Sequence, residues 1–284
     1  METVKDKYKT ARAFRVAIAD RLKNLSRETG ESYLDLYRRV AIDRFLARID
    51  WSKWIAKGGY AMQRRIPKAR RTKDIDLATI DSSFHLPDSR EQEKLLLEAF
   101  QEFARVDVDD YFEFQVTAEK YLPAFGLGGI RCQVRCLLDG ESWSTFQLDA
   151  VIQQEKILRA ESISGDSFLS FAGLEPLTIR VPKKEEVFAE KIHAYTFQHK
   201  SENTRVKDLV DMFLLIQDGL TATFANVAIL EVFRVRQTHN RPSTLPSPPA
   251  SWENIFKELA EDSGINLSME KTYFEVAAFY CSLF

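Results

Sequence analysis

Lys57-Gly58-Gly59, then the basic run Arg64, Arg65, Lys68, Arg70 and Arg71, then Thr72-Lys73-Asp74-Ile75-Asp76-Leu77, is the stretch whose reading decides the fold. Residues i and i+2 of a strand point to one face. Asp74 and Asp76 therefore share a face, and Ile75 and Leu77 enter a core. Two hard carboxylate ligands side by side suit Mg²⁺ or Mn²⁺. A glycine pair lets backbone approach a phosphate closely. The pattern points to metal-assisted chemistry on a nucleotide.

Outward from this stretch, the chain reads as helices, then a β-rich middle, then a helical tail. Residues 9–49 carry apolar positions at helical spacing, among them Phe14, Ala17, Ile18 and Leu22, with Ser32 as an N-cap for a second helix. Residues 72–80 alternate as a strand, 88–105 are helical, 111–117 alternate as a strand, and 125–129 form a Gly-rich loop. Asp139-Gly140 is a tight-turn signal between alternating segments at 131–138 and 144–152. Phe146, Leu148 and Ala150 share one face of the second segment, and Asp149 points the other way. Helices are predicted over 184–199, 205–217, 222–236, 251–262 and 268–282. The proline-rich segment 241–250 is a surface linker. This is an α+β pattern with two lobes, 1–170 and 171–284, and a cleft between lobes is a natural ligand site.

Composition sets bounds. The 284 residues carry a net charge of −2, with 45% hydrophobic and 29% charged residues. The protein as a whole is not a polyanion binder, so any nucleic-acid contact must be local, and the Arg64–Lys73 run is the candidate. Three cysteines, Cys132, Cys136 and Cys281, argue against a disulfide scaffold and form no metal pattern with the histidines. There is no apolar signal core at the N-terminus and no segment approaching ~20 apolar residues. A cytoplasmic protein with no membrane partner is expected.

Other residues carry possible chemistry. Asp149 is a third strand carboxylate, and three aspartates on adjacent strands can hold two metals ~3.5–4 Å apart for phosphoryl transfer. Lys191 lies within the apolar stripe of Val187, Phe188, Ile192 and Tyr195, so it is desolvated, paired or aimed at an anion. Arg205 and Lys207 open a helix whose N-terminus is already positive, which is unfavourable unless they serve an anion. Asp208 could pair with Lys191 or Lys207, position a nucleophile, or stabilise the first turn. For Asp211 the first-turn role is the simplest. His193 and His199 have no partner at convincing spacing and read as ordinary polar residues.

At this point the motifs resemble those of the AbiEii/AbiGii-type nucleotidyltransferase toxins of bacterial toxin–antitoxin and phage-defence systems, with the MenT-type toxins closest. The resemblance lies in Lys57-Gly58-Gly59, Arg70, Thr72, Asp74 and Asp76, in Glu190-Lys191-Ile192-His193-Ala194, and in Arg205-x-Lys207-Asp208-Leu209-x-Asp211. It implies a polymerase-β-like nucleotidyltransferase core, a mixed sheet with flanking helices, plus a helical C-terminal lobe. It implies an enzyme that uses Mg²⁺ (or Mn²⁺) and a nucleoside triphosphate, transfers a nucleotide to RNA such as the 3′ acceptor end of tRNA, blocks translation, and has a cognate antitoxin. Carried over, Asp74, Asp76, Lys191 and Asp208 are catalytic, with Asp74 and Asp76 on the metal, and the strand alternation adds Asp149 as the third metal ligand. Lys191 is carried over as the triphosphate ligand, and the glycine pair and cations make Lys57, Gly58, Gly59, Arg70, Thr72, Lys73 and Arg205 the further candidates for binding the nucleotide. Many nucleotidyltransferases have Gly-Ser where this chain has Gly58-Gly59, so backbone N–H groups, Lys57 or the Arg64–Lys73 cations must grip the phosphates. Two alternatives stand beside this expectation: nucleotidylation of a protein hydroxyl, and a catalytically silent nucleic-acid or partner-binding module.

Overall fold

The computed structural model describes residues 3–122, 128–153, 159–165, 168–198 and 204–284. The chain divides into two compact units. One comprises residues 1–60, 72–153 and 162–181, the other 61–71, 154–161 and 182–284.

The first unit is built on a five-stranded mixed sheet ordered β1-β2-β5-β4-β3, with β1 Trp54–Lys57, β2 Asp74–Thr79, β3 Phe112–Tyr121, β4 Gly129–Leu138 and β5 Glu141–Ile152. β2 pairs antiparallel with β1 and parallel with β5, while β3, β4 and β5 form an antiparallel meander. The predicted β4–β5 hairpin forms as the sequence suggests. Asp139 and Gly140 both take positive φ, 60° and 69°, as a two-residue turn matched to strand twist requires. One irregularity matters below. Leu137 pairs with Ser142 but Cys136 pairs with Ser144, so Trp143 is an extra residue in β5 and the register shifts by one. Trp143 is pinned there by stacking on Tyr37 at 3.7 Å and by donating from Nε1 to the Tyr37 carbonyl at 3.0 Å.

Helices α1 (Val4–Lys7), α2 (Ala11–Thr29), α3 (Tyr33–Leu46) and α5 (Ser89–Arg105) belong to this unit, and α4 (Gly58–Arg65) begins in it. α2 starts at Thr10, whose hydroxyl accepts from the Ala13 N–H at 3.1 Å, and ends at Gly30 in the left-handed region. Its Phe14, Ile18 and Leu22 are fully buried at i, i+4, i+8 spacing. Ser32 is the N-cap position of α3 as expected, but its side chain makes no capping hydrogen bond. A short separate sheet pairs β6 (Ala160–Ser164) with β7 (Thr178–Pro182), and alternation did not signal it.

The second unit is helical. It contains α6 (Lys184–Thr196), α7 (Val206–Gln217), α8 (Ala222–Arg236), α9 (Glu253–Asp262) and α10 (Met269–Cys281). Phe188, Ile192, Leu209, Met212, Ile229, Val232, Trp252 and Tyr280 lie in one core, which also takes in Met62 and Ala69 from the basic segment. α6 stops at Thr196 rather than at 199, and His199 lies outside the described residues, as do residues 125–127 of the predicted Gly-rich loop. The proline-rich stretch forms no helix or strand up to Pro249, as expected. The α+β architecture is therefore the one the sequence predicts. No helix among the described residues is long and apolar enough to cross a membrane.

Candidate active site

The alternation Asp-Ile-Asp-Leu resolves as read. Ile75 and Leu77 are buried, Asp74 is exposed and Asp76 half-buried on the opposite face of β2. The sheet registers then set a charged row across all five strands. Lys57 pairs with Asp76, Asp76 with Asp149, Asp149 with Arg131, and Arg131 with Lys120. In-register neighbours share a face, so two carboxylates sit side by side with cations on either flank. The next row on that face is Asp74, Gln147, Gln133 and Thr117. Thr72 braces the start of β2, its hydroxyl donating to the Asp74 carbonyl at 3.2 Å.

Gly58 opens α4 at φ +62°, and a Cβ there would fall on the Asp76 carboxylate, 2.6 Å from its Cγ. Glycine is required twice over, for the left-handed backbone and for the close approach. The glycine pair thus delivers the N-terminus of a helix, with its outward-facing N–H groups, beside Asp76. Lys57, just before it, donates from Nζ to Gln153 Oε1 at 3.0 Å.

Asp149 is not free of partners. Arg131 donates to both of its carboxylate oxygens, from Nε at 2.7 Å and from Nη2 at 2.6 Å. Among the described residues no three His, Cys, Asp or Glu side chains converge in a metal-binding cluster. Asp74 and Asp76 nevertheless supply a pair of hard oxygen donors on one face, with a third carboxylate in register next to Asp76. The chemistry of the Asp74–Asp76 pair fits a divalent cation of the Mg²⁺ type.

In the helical unit the structure gathers Lys191, Asp208, Asp211 and Arg70. Lys191 Nζ donates to Asp208 Oδ1 at 3.0 Å and to Asp211 Oδ2 at 2.7 Å, and Arg70 Nη2 lies 3.3 Å from Asp211 Oδ2. Arg205 is 3.7 Å from Asp208. Of the alternatives for Asp208, pairing with Lys191 is realised, and Asp208 also stands in the first turn of α7. The simple reading of Asp211 fails. It is no solvated first-turn residue but 0% exposed, and its Oδ1 is buried with no hydrogen-bond partner. A sequence signal existed, since Asp211 falls between Val210 and Met212 on a helix that is apolar nearly all round. A buried charge needs a buried partner. Burial opposes charge on Lys191, but Asp211 and Asp208 outweigh it and hold the pKa above the ordinary lysine value. Lys191 remains an ammonium.

The basic run is only partly open. Arg65 is committed to Glu161 at 2.7 Å and to the Pro182 carbonyl, and Arg70 to Asp211, while Lys68, Arg71 and Lys73 are exposed. Cys132 and Cys136 are free thiols on the buried face of the sheet, and burial pushes Cys132 up to about 12. They are inert packing groups at neutral pH.

His193 is 2% exposed, with Nε2 at 2.9 Å from the Thr238 hydroxyl and Nδ1 facing Arg236 at 3.3 Å. Burial first, then the Arg236 charge, lowers its pKa to about 4 from 6.5, so it is neutral at pH 7. Its folded-state pKa is depressed, so the unfolded chain takes up a proton before the folded one does. The stabilisation is complete above pH ~6.5 and falls as pH drops toward 4, by at most about 3 kcal/mol. His193→Gln should flatten this part of the pH dependence of urea unfolding. An unchanged slope between pH 6.5 and 4 would contradict the assignment.

A sequence-family model described as nucleotidyl transferase AbiEii toxin, type IV toxin–antitoxin system, matches residues 44–271, which include every motif residue above. A search of curated proteins finds no match. Two solved structures from Helicobacter pylori are similar over most of the chain. JHP933 is 12% identical, with a TM-score of 0.49, over 89% of this chain and 92% of that one. A second protein, assigned as a nucleotidyltransferase, is 12% identical with a TM-score of 0.46, over 89% and 96%. The mixed sheet with flanking helices accords with the expected polymerase-β-like nucleotidyltransferase core. From the match over residues 44–271, the chain belongs to the AbiEii family of nucleotidyl transferase toxins.

Proposed function

We propose that this nucleotidyltransferase moves a nucleoside monophosphate from a nucleoside triphosphate onto RNA, at the 3′ acceptor end of tRNA, and so blocks translation. The observation that carries the reading is the Asp74–Asp76 pair on one face of β2 with the Gly58 backbone pressed against Asp76. Asp74 and Asp76 would hold Mg²⁺ or Mn²⁺, with Asp149 as the third available carboxylate. The ion, when bound, supplies Lewis-acid stabilisation of charge on the phosphoryl oxygens. The α4 N–H groups at Gly58-Gly59, with Lys57, Thr72 and Lys73, would orient the triphosphate, and Arg70 and Arg205 are the nucleotide-binding candidates of the helical unit. Lys191 gives two of its three N–H bonds to Asp208 and Asp211, and the third is what a phosphate oxygen would take. In this reading Asp208 positions Lys191.

The acceptor hydroxyl oxygen forms a bond to the α-phosphorus, and the bond from that phosphorus to the bridging oxygen breaks. Pyrophosphate leaves, and the hydroxyl proton passes to a carboxylate or water. A cognate antitoxin and a cytoplasmic setting accompany the reading. The test is to incubate the protein with total tRNA, Mg²⁺ and each α-labelled nucleoside triphosphate in turn. Label on tRNA with release of pyrophosphate is expected. Label on protein with RNA unmodified would move the acceptor to a protein hydroxyl. Calorimetry showing no Mg²⁺-dependent binding of any nucleotide would leave a silent binding module.

A further inference from the structure

The bidentate grip of Arg131 on Asp149 bears directly on any metal at the carboxylate face. Both oxygens of Asp149 are occupied, at 2.7 and 2.6 Å, by a planar fork whose geometry matches a carboxylate. Asp149 stands in register beside Asp76, and like charges directly opposite on adjacent strands repel. Arg131 supplies a neutralising cation at Asp149. The placement depends on the Trp143 bulge. Continued from the turn without it, the Leu138–Glu141 register would set Arg131 opposite Leu148, on the buried face. With it, Arg131 faces Asp149. The pair is only partly exposed, at 28% and 17% of the side chains, so it is not a freely solvated surface bridge.

We propose that Arg131 is a built-in competitor for the metal: its guanidinium and a divalent cation occupy Asp149 in turn, and Arg131 thereby sets the metal affinity of the carboxylate face. This inference rests on the reading that Asp74 and Asp76 hold a divalent cation. Arg131 is a positioning residue here. It acts through Asp149 and on metal occupancy rather than on the reacting atoms. Release of Asp149 to a metal leaves the guanidinium on the same face, where a triphosphate is the natural new partner.

The test is Mn²⁺ binding to the full chain, followed by the electron paramagnetic resonance signal of free Mn²⁺, with circular dichroism to confirm folding. Arg131→Gln is expected to tighten Mn²⁺ roughly tenfold, because the competing charge-assisted bonds are gone. The gain should vanish in the Arg131→Gln/Asp149→Asn double variant. Arg131→Lys, which keeps the charge but loses the fork, should tighten binding by a smaller factor. Unchanged affinity in Arg131→Gln, or a gain that survives loss of the Asp149 carboxylate, overturns the competition. Asp76→Asn separates the two ideas. If it leaves Mn²⁺ binding intact, the metal-assisted reading itself fails. If it abolishes binding while Arg131→Gln changes nothing, only the role of Arg131 fails.

Discussion

Asp76→Asn is expected to lower nucleotide transfer by at least about a thousandfold while the protein stays folded. The magnitude follows from the proposed role of the aspartate pair, because loss of the ion it would hold removes several kcal/mol of transition-state charge stabilisation. The fold should survive for a separate reason. Asp76 is half-buried on the face of β2 opposite the core, so Asn at this position leaves the packed Ile75 and Leu77 side of the strand untouched. Asn also keeps the volume that Gly58 packs against. Asp74→Ala, on the exposed position two residues earlier, should show the same pattern. Incorporation of labelled nucleotide into tRNA, read beside thermal melts, checks both. Labelling at the unmutated rate by either variant would remove the aspartate pair from the mechanism.

The second large effect is on stability. Asp110 is 0% exposed and stands between two buried arginines. Arg44 Nε donates to Oδ2 at 2.6 Å, and Arg48 donates from Nη2 to Oδ1 at 2.7 Å and from Nη1 to Oδ2 at 3.1 Å. The Phe112 N–H also donates to Oδ1, at 3.1 Å, fixing the start of β3. Asp110→Ala would strand two cations in the interior, which costs about 3–5 kcal/mol. For a unit of this size that lowers Tm by roughly 10–15 °C. Burial pushes the Asp110 carboxyl up, but Arg44 and Arg48 outweigh this and hold it below the ordinary value of 3.8. Its contribution is therefore fully present above pH ~4 and is lost as pH falls through the lower folded-state value. A calorimetric loss under about 1 kcal/mol for Asp110→Ala would show that the arginines find other partners.

Neither arginine of that cluster was legible in the sequence. Arg44 and Arg48 sit on and just beyond α3 amid apolar positions. Their partner is many residues away at the entrance to β3, so no local spacing connects them. Asp211 and Arg131 escaped for related reasons. Asp211 lies on an apolar helix where only its burial reveals that it must be paired. Arg131 was read as one polar position of an alternating strand, because a hairpin register cannot be counted through a bulge that the sequence does not announce. The Asp74–Asp76 face, the Asp139-Gly140 turn and the helical tail were legible because each depends on a short-range rule: two-residue periodicity, positive-φ turn chemistry, or apolar positions at helical spacing.

By itself, then, the sequence determined the local geometry of this nucleotidyltransferase. Two carboxylates lie on one face of a strand, a glycine pair precedes them, and Lys191 and Asp208 lie on separate helices. The tertiary structure alone decided what each charge meets. Parallel pairing of β2 with β5 brought Asp149 beside Asp76, and the Trp143 bulge turned Arg131 onto Asp149. Packing of α6 and α7 closed Lys191 onto Asp208 and the buried Asp211. The reason is physical. Periodicity assigns a side chain to a face, but the energy of a buried charge is fixed by partners distant in sequence, and only the folded chain selects them.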